Sequence, residues 1–79
     1  MLDEHKLRSA LADNVPPLRQ AQGLSQQDLA DRIGASRVTV NRIENGRLIP
    51  GADLLYALAD ALGVSTDRLR QVSNNLAKI

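Results

Sequence analysis

The chain has 79 residues and a net charge of +1, so it is one small domain whose bulk charge makes no case for a nucleic-acid partner. It has no cysteine, which excludes disulfides and thiolate metal sites and fits a reducing cytoplasm. No apolar run is long enough to span a bilayer, and no signal peptide is expected.

A core this small is marginal alone, so tight helix packing or dimerisation is expected. In chain order, Leu7 and Leu11 form the inner stripe of a helix over about 4–12. Pro16 and Pro17 then interrupt. Inside a helix a proline clashes with the carbonyl four residues back and removes a hydrogen bond, whereas in the first turn it costs little. Asn14 can cap a second piece over about 15–21 that carries both prolines in its first turn. One long kinked helix is the alternative.

Ser25 is a good N-cap, and Asp28 completes a capping box with Asp in place of Glu. Leu24 and Leu29 stand at the spacing of a hydrophobic staple, and Leu29, Ala30 and Ile33 make one buried stripe. Gly34 ends this helix, because glycine takes the left-handed conformation without a Cβ clash. Ser36 caps the next helix, from Arg37 to about Asn45, leaving a turn of Gly34, Ala35 and Ser36. Pro50 and Gly51 punctuate. Ala52, Leu55, Leu58, Ala59 and Leu62 then form a helical stripe that Gly63 stops. Ser65 caps a short helix carrying Leu69, and Val72, Leu76 and Ile79 continue at helical spacing. No β-pattern or repeat is present. Tyr56 is the only aromatic residue, so the core is built from Leu, Ile, Val and Ala. The fold expected is an all-α bundle of five or six helices.

The segment from 26 to 45 carries the functional signal. Two short amphipathic helices meet at a joint too tight for a hairpin, which describes a helix-turn-helix. At about 100° per residue, Val40 and Ile43 fall on one side of the second helix. Val38, Asn41, Arg42 and Asn45 gather on the other, with Arg37 flanking them. Most polar helix faces are simply solvated. Here a β-branched apolar residue, Val38, points away from the core stripe. Asn and Arg are the side chains that pair with adenine and guanine edges, and Val suits a thymine methyl. Arg37, Arg42 and Arg47 face only Glu44 among the acids between 37 and 47. The acids Asp53, Asp60 and Asp67 lie in a stretch without a base from Arg47 to Arg68, a face turned away from phosphates. Arg37, Val38, Asn41 and Arg42 are therefore the base-reading candidates. Gln26, at a helix N-terminus, is a phosphate-binding candidate, together with Ser36, Thr39, Asn45 and Arg47.

Residues 18–69 read LRQAQGLSQQDLADRIGASRVTVNRIENGRLIPGADLLYALADALGVSTDRL. The Leu18-Arg19 pair, the run Gly23-Leu24-Ser25-Gln26, Leu29-Ala30, Gly34, Ser36, Ile43-Glu44, Gly46, Pro50 and the run Ala61-Leu62-Gly63-Val64 stand in register with one family. From about Val15 to Leu69 the chain resembles the Cro/Xre family of phage and bacterial repressors. That resemblance implies a compact bundle of the lambda-repressor type that binds double-stranded DNA and regulates transcription. It also implies that an arginine of the first helix pairs, largely buried, with the glutamate ending the recognition helix; the matching positions are Arg19 and Glu44. Limited affinity from one domain leads to the expectation of a homodimer on a palindromic operator, with the tail at about 70–79 carrying the interface. Pro16 and Pro17 depart from the family, whose first helix runs unbroken.

A rival class is a protein-binding module, such as an antitoxin of the same family that holds a toxin and binds its own promoter. The segments at about 4–12 or 70–79 would serve it. A nucleoid protein would instead bind DNA weakly and without sequence preference. No catalysis, cofactor or metal is expected. His5 is the only histidine, and Ser25, Ser36, Ser65 and Thr66 are better explained as caps than as nucleophiles.

Overall fold

Serine caps set most of the helix boundaries. In the computed structural model, which describes residues 3–72, the helices are α1 (Glu4–Ala21), α2 (Gln26–Ile33), α3 (Arg37–Glu44), α4 (Ala52–Leu62) and α5 (Thr66–Arg70). The described residues contain no strand. The side chains of Ser25, Ser36 and Ser65 accept from the backbone N–H three residues on, and Asp3 does the same for α1. Among the described helices only α4 starts without a side-chain cap, at Gly51. At α2 the box is closed in both directions, because the Ser25 N–H donates to Asp28 Oδ2 at 2.9 Å. Those bonds, the backbone N–H of Ser25 first and its hydroxyl second, hold the Asp28 carboxyl below the ordinary carboxylate range.

The break expected between residues 12 and 15 is absent. α1 runs unbroken from Glu4 to Ala21 with both prolines inside it, so there is no separate helix over 4–12. A proline in a helix interior costs about 3 kcal/mol. Ala10, Leu11 and Val15 are buried in α1, and Leu18 packs against the core from its next turn. Full burial of one such aliphatic side chain is worth about 1.5–3 kcal/mol. A break at Asn14 would put Leu11 and Val15 out of register, so the packing outweighs the local penalty. Asn14 does not cap the start of a helix either. Its Nδ2 donates across the molecule to the carbonyls of Leu69 and Gln71, both at 2.8 Å, and of Arg68 at 3.3 Å.

The core joins Leu11 and Val15 of α1, Leu29, Ala30 and Ile33 of α2, Val40 and Ile43 of α3, Leu58, Ala59 and Leu62 of α4, and Leu69 of α5. α1 packs on α3 and α5, and α2 packs on α3 and α4. Ala30 is fully buried where α2 faces its neighbours, and its small side chain permits close approach. The α4 stripe is narrower than its periodicity predicts: Ala52 is exposed and Leu55 only half-buried. Leu69 closes the core, and Val72 beyond it is 52% exposed. Leu76 and Ile79 lie outside the described residues.

Candidate nucleic-acid interface

The joint between α2 and α3 is built from backbone bonds. Gly34 stands at φ 69°, ψ 33°, the left-handed region, and its N–H donates to the Ala30 carbonyl. The Ala35 N–H donates to the same oxygen at 3.0 Å. The chain thus leaves α2 sharply, and Ser36 restarts it as α3 within three residues.

α3 then shows two unlike faces. Val40 and Ile43 are fully buried. Arg37, Val38, Asn41, Arg42 and Asn45 are exposed, Val38 to 50%. Among the described residues, Arg37, Arg42 and Arg47 make no salt bridge, although the chain forms others between Glu4 and Arg8 and between Asp67 and Arg70. The remaining candidates are tied to the helix ends. The Ser36 and Thr39 hydroxyls lie 3.1 Å apart, and Ser36 Oγ also accepts the Thr39 N–H. Asn45 Nδ2 folds back onto the Asn41 carbonyl at 2.8 Å. The Arg47 N–H donates to the Arg42 carbonyl at 2.8 Å, which carries its exposed side chain just past the end of α3.

Behind this face lies a polar seam that sets α3 against α1. Arg19 grips Glu44 with two bonds, Nε to Oε2 at 2.7 Å and Nη2 to Oε1 at 3.1 Å. Its Nη1 donates to the Leu24 carbonyl at 2.8 Å. The two side chains are only 12% and 5% exposed. The hydrogen bonds that Arg19 donates to Glu44 raise the Arg19 pKa; burial opposes the shift and the opposite charge supports it. By sequence Gln26 is a candidate for a phosphate. In the fold its side chain completes the seam: Nε2 donates to Glu44 Oε1 at 3.0 Å, and Oε1 accepts from Asn41 Nδ2 at 3.4 Å. Gln26 and Glu44 are 18 residues apart, so no local pattern signals this contact.

An all-helical bundle in which α2 and α3 meet at a three-residue turn, with α3 half in the core and half free, is a helix-turn-helix domain of lambda-repressor-like fold. The helix-turn-helix model HTH_3 matches residues 18–69, and the chain belongs to that family. An uncharacterised helix-turn-helix-type transcriptional regulator of Sinorhizobium fredii is 39% identical over 59 residues, 75% of this chain and 77% of that protein. The crystal structure of a hypothetical transcription factor from Neisseria superposes with a TM-score of 0.82 at 33% identity, covering 96% of this chain and 87% of that one. A restriction-modification controller protein from Aeromonas hydrophila gives 0.74 at 31% identity, over 78% and 94% of the two chains.

Proposed function

We propose that the protein binds double-stranded DNA in a sequence-specific manner and represses transcription, with α3 lying in the major groove. The observation that carries this is the outward face of α3, where exposed arginines without salt bridges flank a half-exposed valine. Arg37, Val38, Asn41 and Arg42 read base edges, since a side chain contributes to specificity only where it reaches the groove. The N-terminus of α2 at Gln26, the start of α3 at Ser36 and Thr39, and Asn45 and Arg47 beyond its end hold phosphates. The related proteins described as transcriptional regulators support the same role. Its place of work is then the cytoplasm of a bacterium, or of one carrying a phage.

The test is selection of bound oligonucleotides from a random pool, followed by titration of Arg42→Ala on the selected site. A residue reading a guanine should cost about 1–3 kcal/mol on removal and relax preference at one position. Selection of no common site, or wild-type affinity of the variant, would remove α3 from the groove.

The proposed assembly is a homodimer on a palindrome with half-sites about 34 Å apart. Its interface lies in the segment after Leu69, which has already closed the core, so that Val72 beyond it, 52% exposed, is open to another cover. Truncation after Gln71 should give a folded monomer by ultracentrifugation, with much weaker operator binding. A folded dimer surviving that truncation moves the interface elsewhere.

A further inference from the structure

We infer that the Arg19–Glu44 pair dictates, through Gln26, which way round the Asn41 amide faces the groove, and so favours adenine or cytosine at the base Asn41 meets. This rests on α3 being the base-reading helix. It concerns how one of its side chains is aimed.

The steps follow from which groups donate and which accept. Arginine only donates, and a carboxylate paired with it only accepts. Glu44 Oε1 already receives Arg19 Nη2 at 3.1 Å, so the end of the Gln26 amide lying 3.0 Å from that oxygen has to be Nε2. The other end, Oε1, is then turned toward Asn41, and only a donor can answer it. Asn41 answers with Nδ2 at 3.4 Å. A reversed Asn41 amide would set two oxygens against each other, and a reversed Gln26 amide would set an oxygen against the carboxylate. The direction of every bond in the series is therefore inherited from the charge on Arg19.

The consequence appears at the exposed end. With one Nδ2 proton held by Gln26, Asn41 keeps its Oδ1 and its second Nδ2 proton for a partner. Adenine shows a donor at N6 and an acceptor at N7 in the major groove, which matches that pair, and cytosine shows an N4 donor for Oδ1. Guanine shows acceptors at both O6 and N7, and thymine an acceptor at O4, so each meets Oδ1 badly. Asn41 is exposed, and without Gln26 no other bond to its amide among the described residues would resist its turning over. A neutral hydrogen bond is worth about 0.5–1.5 kcal/mol net, so the bias it imposes is about 2- to 10-fold.

Base preference at each operator position should be measured for the wild type, Asn41→Ala, Arg42→Ala and Gln26→Ala. Asn41→Ala identifies the position concerned. There the wild type should favour adenine or cytosine, and Gln26→Ala should cut that preference by about 2- to 10-fold. Preferences that Arg42→Ala removes should survive in Gln26→Ala. Gln26→Met, of similar length and without a hydrogen bond, replaces the alanine variant if the latter fails to fold. In the free protein the same variant should increase the fast motion of the Asn41 side-chain amide in nitrogen relaxation. Guanine or thymine at the Asn41 position overturns the inference. So does a preference at the Asn41 position that Gln26→Ala leaves unchanged, whatever uniform loss of affinity accompanies it, no preference lost in Asn41→Ala, or an Asn41 amide as rigid without Gln26 as with it. A wild type that selects no site would instead sink the DNA-reading function itself, which failure of the relay alone would leave standing.

Discussion

Two polar side chains of α1 reach out to other helices, and they do so by different physics. Arg19 meets a carboxylate on α3, and both partners are almost wholly removed from water. Asn14 meets three carbonyls around the end of α5, where Arg68 and Gln71 are exposed. A buried charge left without its partner has nowhere to turn, whereas water can reach most of the carbonyls that Asn14 satisfies. The first contact is thus close to all-or-none, and the second is a modest fastening. The position of each matches its strength. α3 carries the outward face and has to be held at a fixed angle, while α5 needs only to keep Leu69 in the core.

The largest break in that comparison comes at Glu44. Glu44→Ala strands the Arg19 charge in a nearly closed site and should cost about 3–5 kcal/mol in chemical denaturation. Replacing both partners with apolar residues, Arg19→Met with Glu44→Leu, should recover part of the loss, because no lone charge remains buried. Losses that simply add in the double variant would mean that the two residues do not act as a pair. A cost within about 0.5 kcal/mol for Glu44→Ala would place both charges effectively in solvent.

Asn14→Ala sharpens the contrast from the other side. It removes hydrogen bonds that are partly replaceable by water, each worth about 1 kcal/mol net, so a loss of about 1–2 kcal/mol is expected. Operator affinity measured well below the melting point should be unchanged, since α5 is remote from the outward face of α3. An affinity loss as large as that of Arg42→Ala would show that the α1–α5 contact also sets the angle of α3.

What could be read from sequence follows the same division. Ser25, Asp28, Gly34 and Ser36 act over three or four residues, and each helix end they mark stands where local chemistry puts it. The two faces of α3 were equally legible, because helical period alone separates Val40 and Ile43 from Val38 and Asn41. The Pro16-Pro17 break failed for the opposite reason. The local penalty is real, but it is set against the burial of Leu11 and Val15, which depends on α3 and α5 and has no local trace. Asn14 looks like a cap by local chemistry, because asparagine just before a proline pair is a good one. Its actual partners lie 54 to 57 residues away. Ala52 keeps the period of α4 yet stands exposed, whereas Leu54 and Leu55 beside it pack against the core, so the period alone does not say where the buried stripe begins.

The smallest effect separates a titrating contact from the amide fastening at Asn14, which has no charge to lose. The α2 capping box depends on the Asp28 carboxylate, whose folded-state pKa lies below the ordinary value of 3.8. A depressed carboxyl contributes stability that is fully present above the unfolded-state pKa. That contribution fades as pH falls below it and is gone once the folded-state pKa is passed. At neutral pH the box is therefore intact, and its loss belongs to the acid limb below about pH 4. Asp28→Asn should lower stability slightly at pH 7 and flatten part of that acid limb, while Asn14→Ala should lower the whole curve without changing its shape. Both follow from thermal melts of the two variants between pH 2.5 and 7, values chosen to bracket the carboxylate range. An acid limb identical in Asp28→Asn and wild type would mean that the box holds as well with a protonated Asp28, and that its bond to the Ser25 N–H owes nothing to charge.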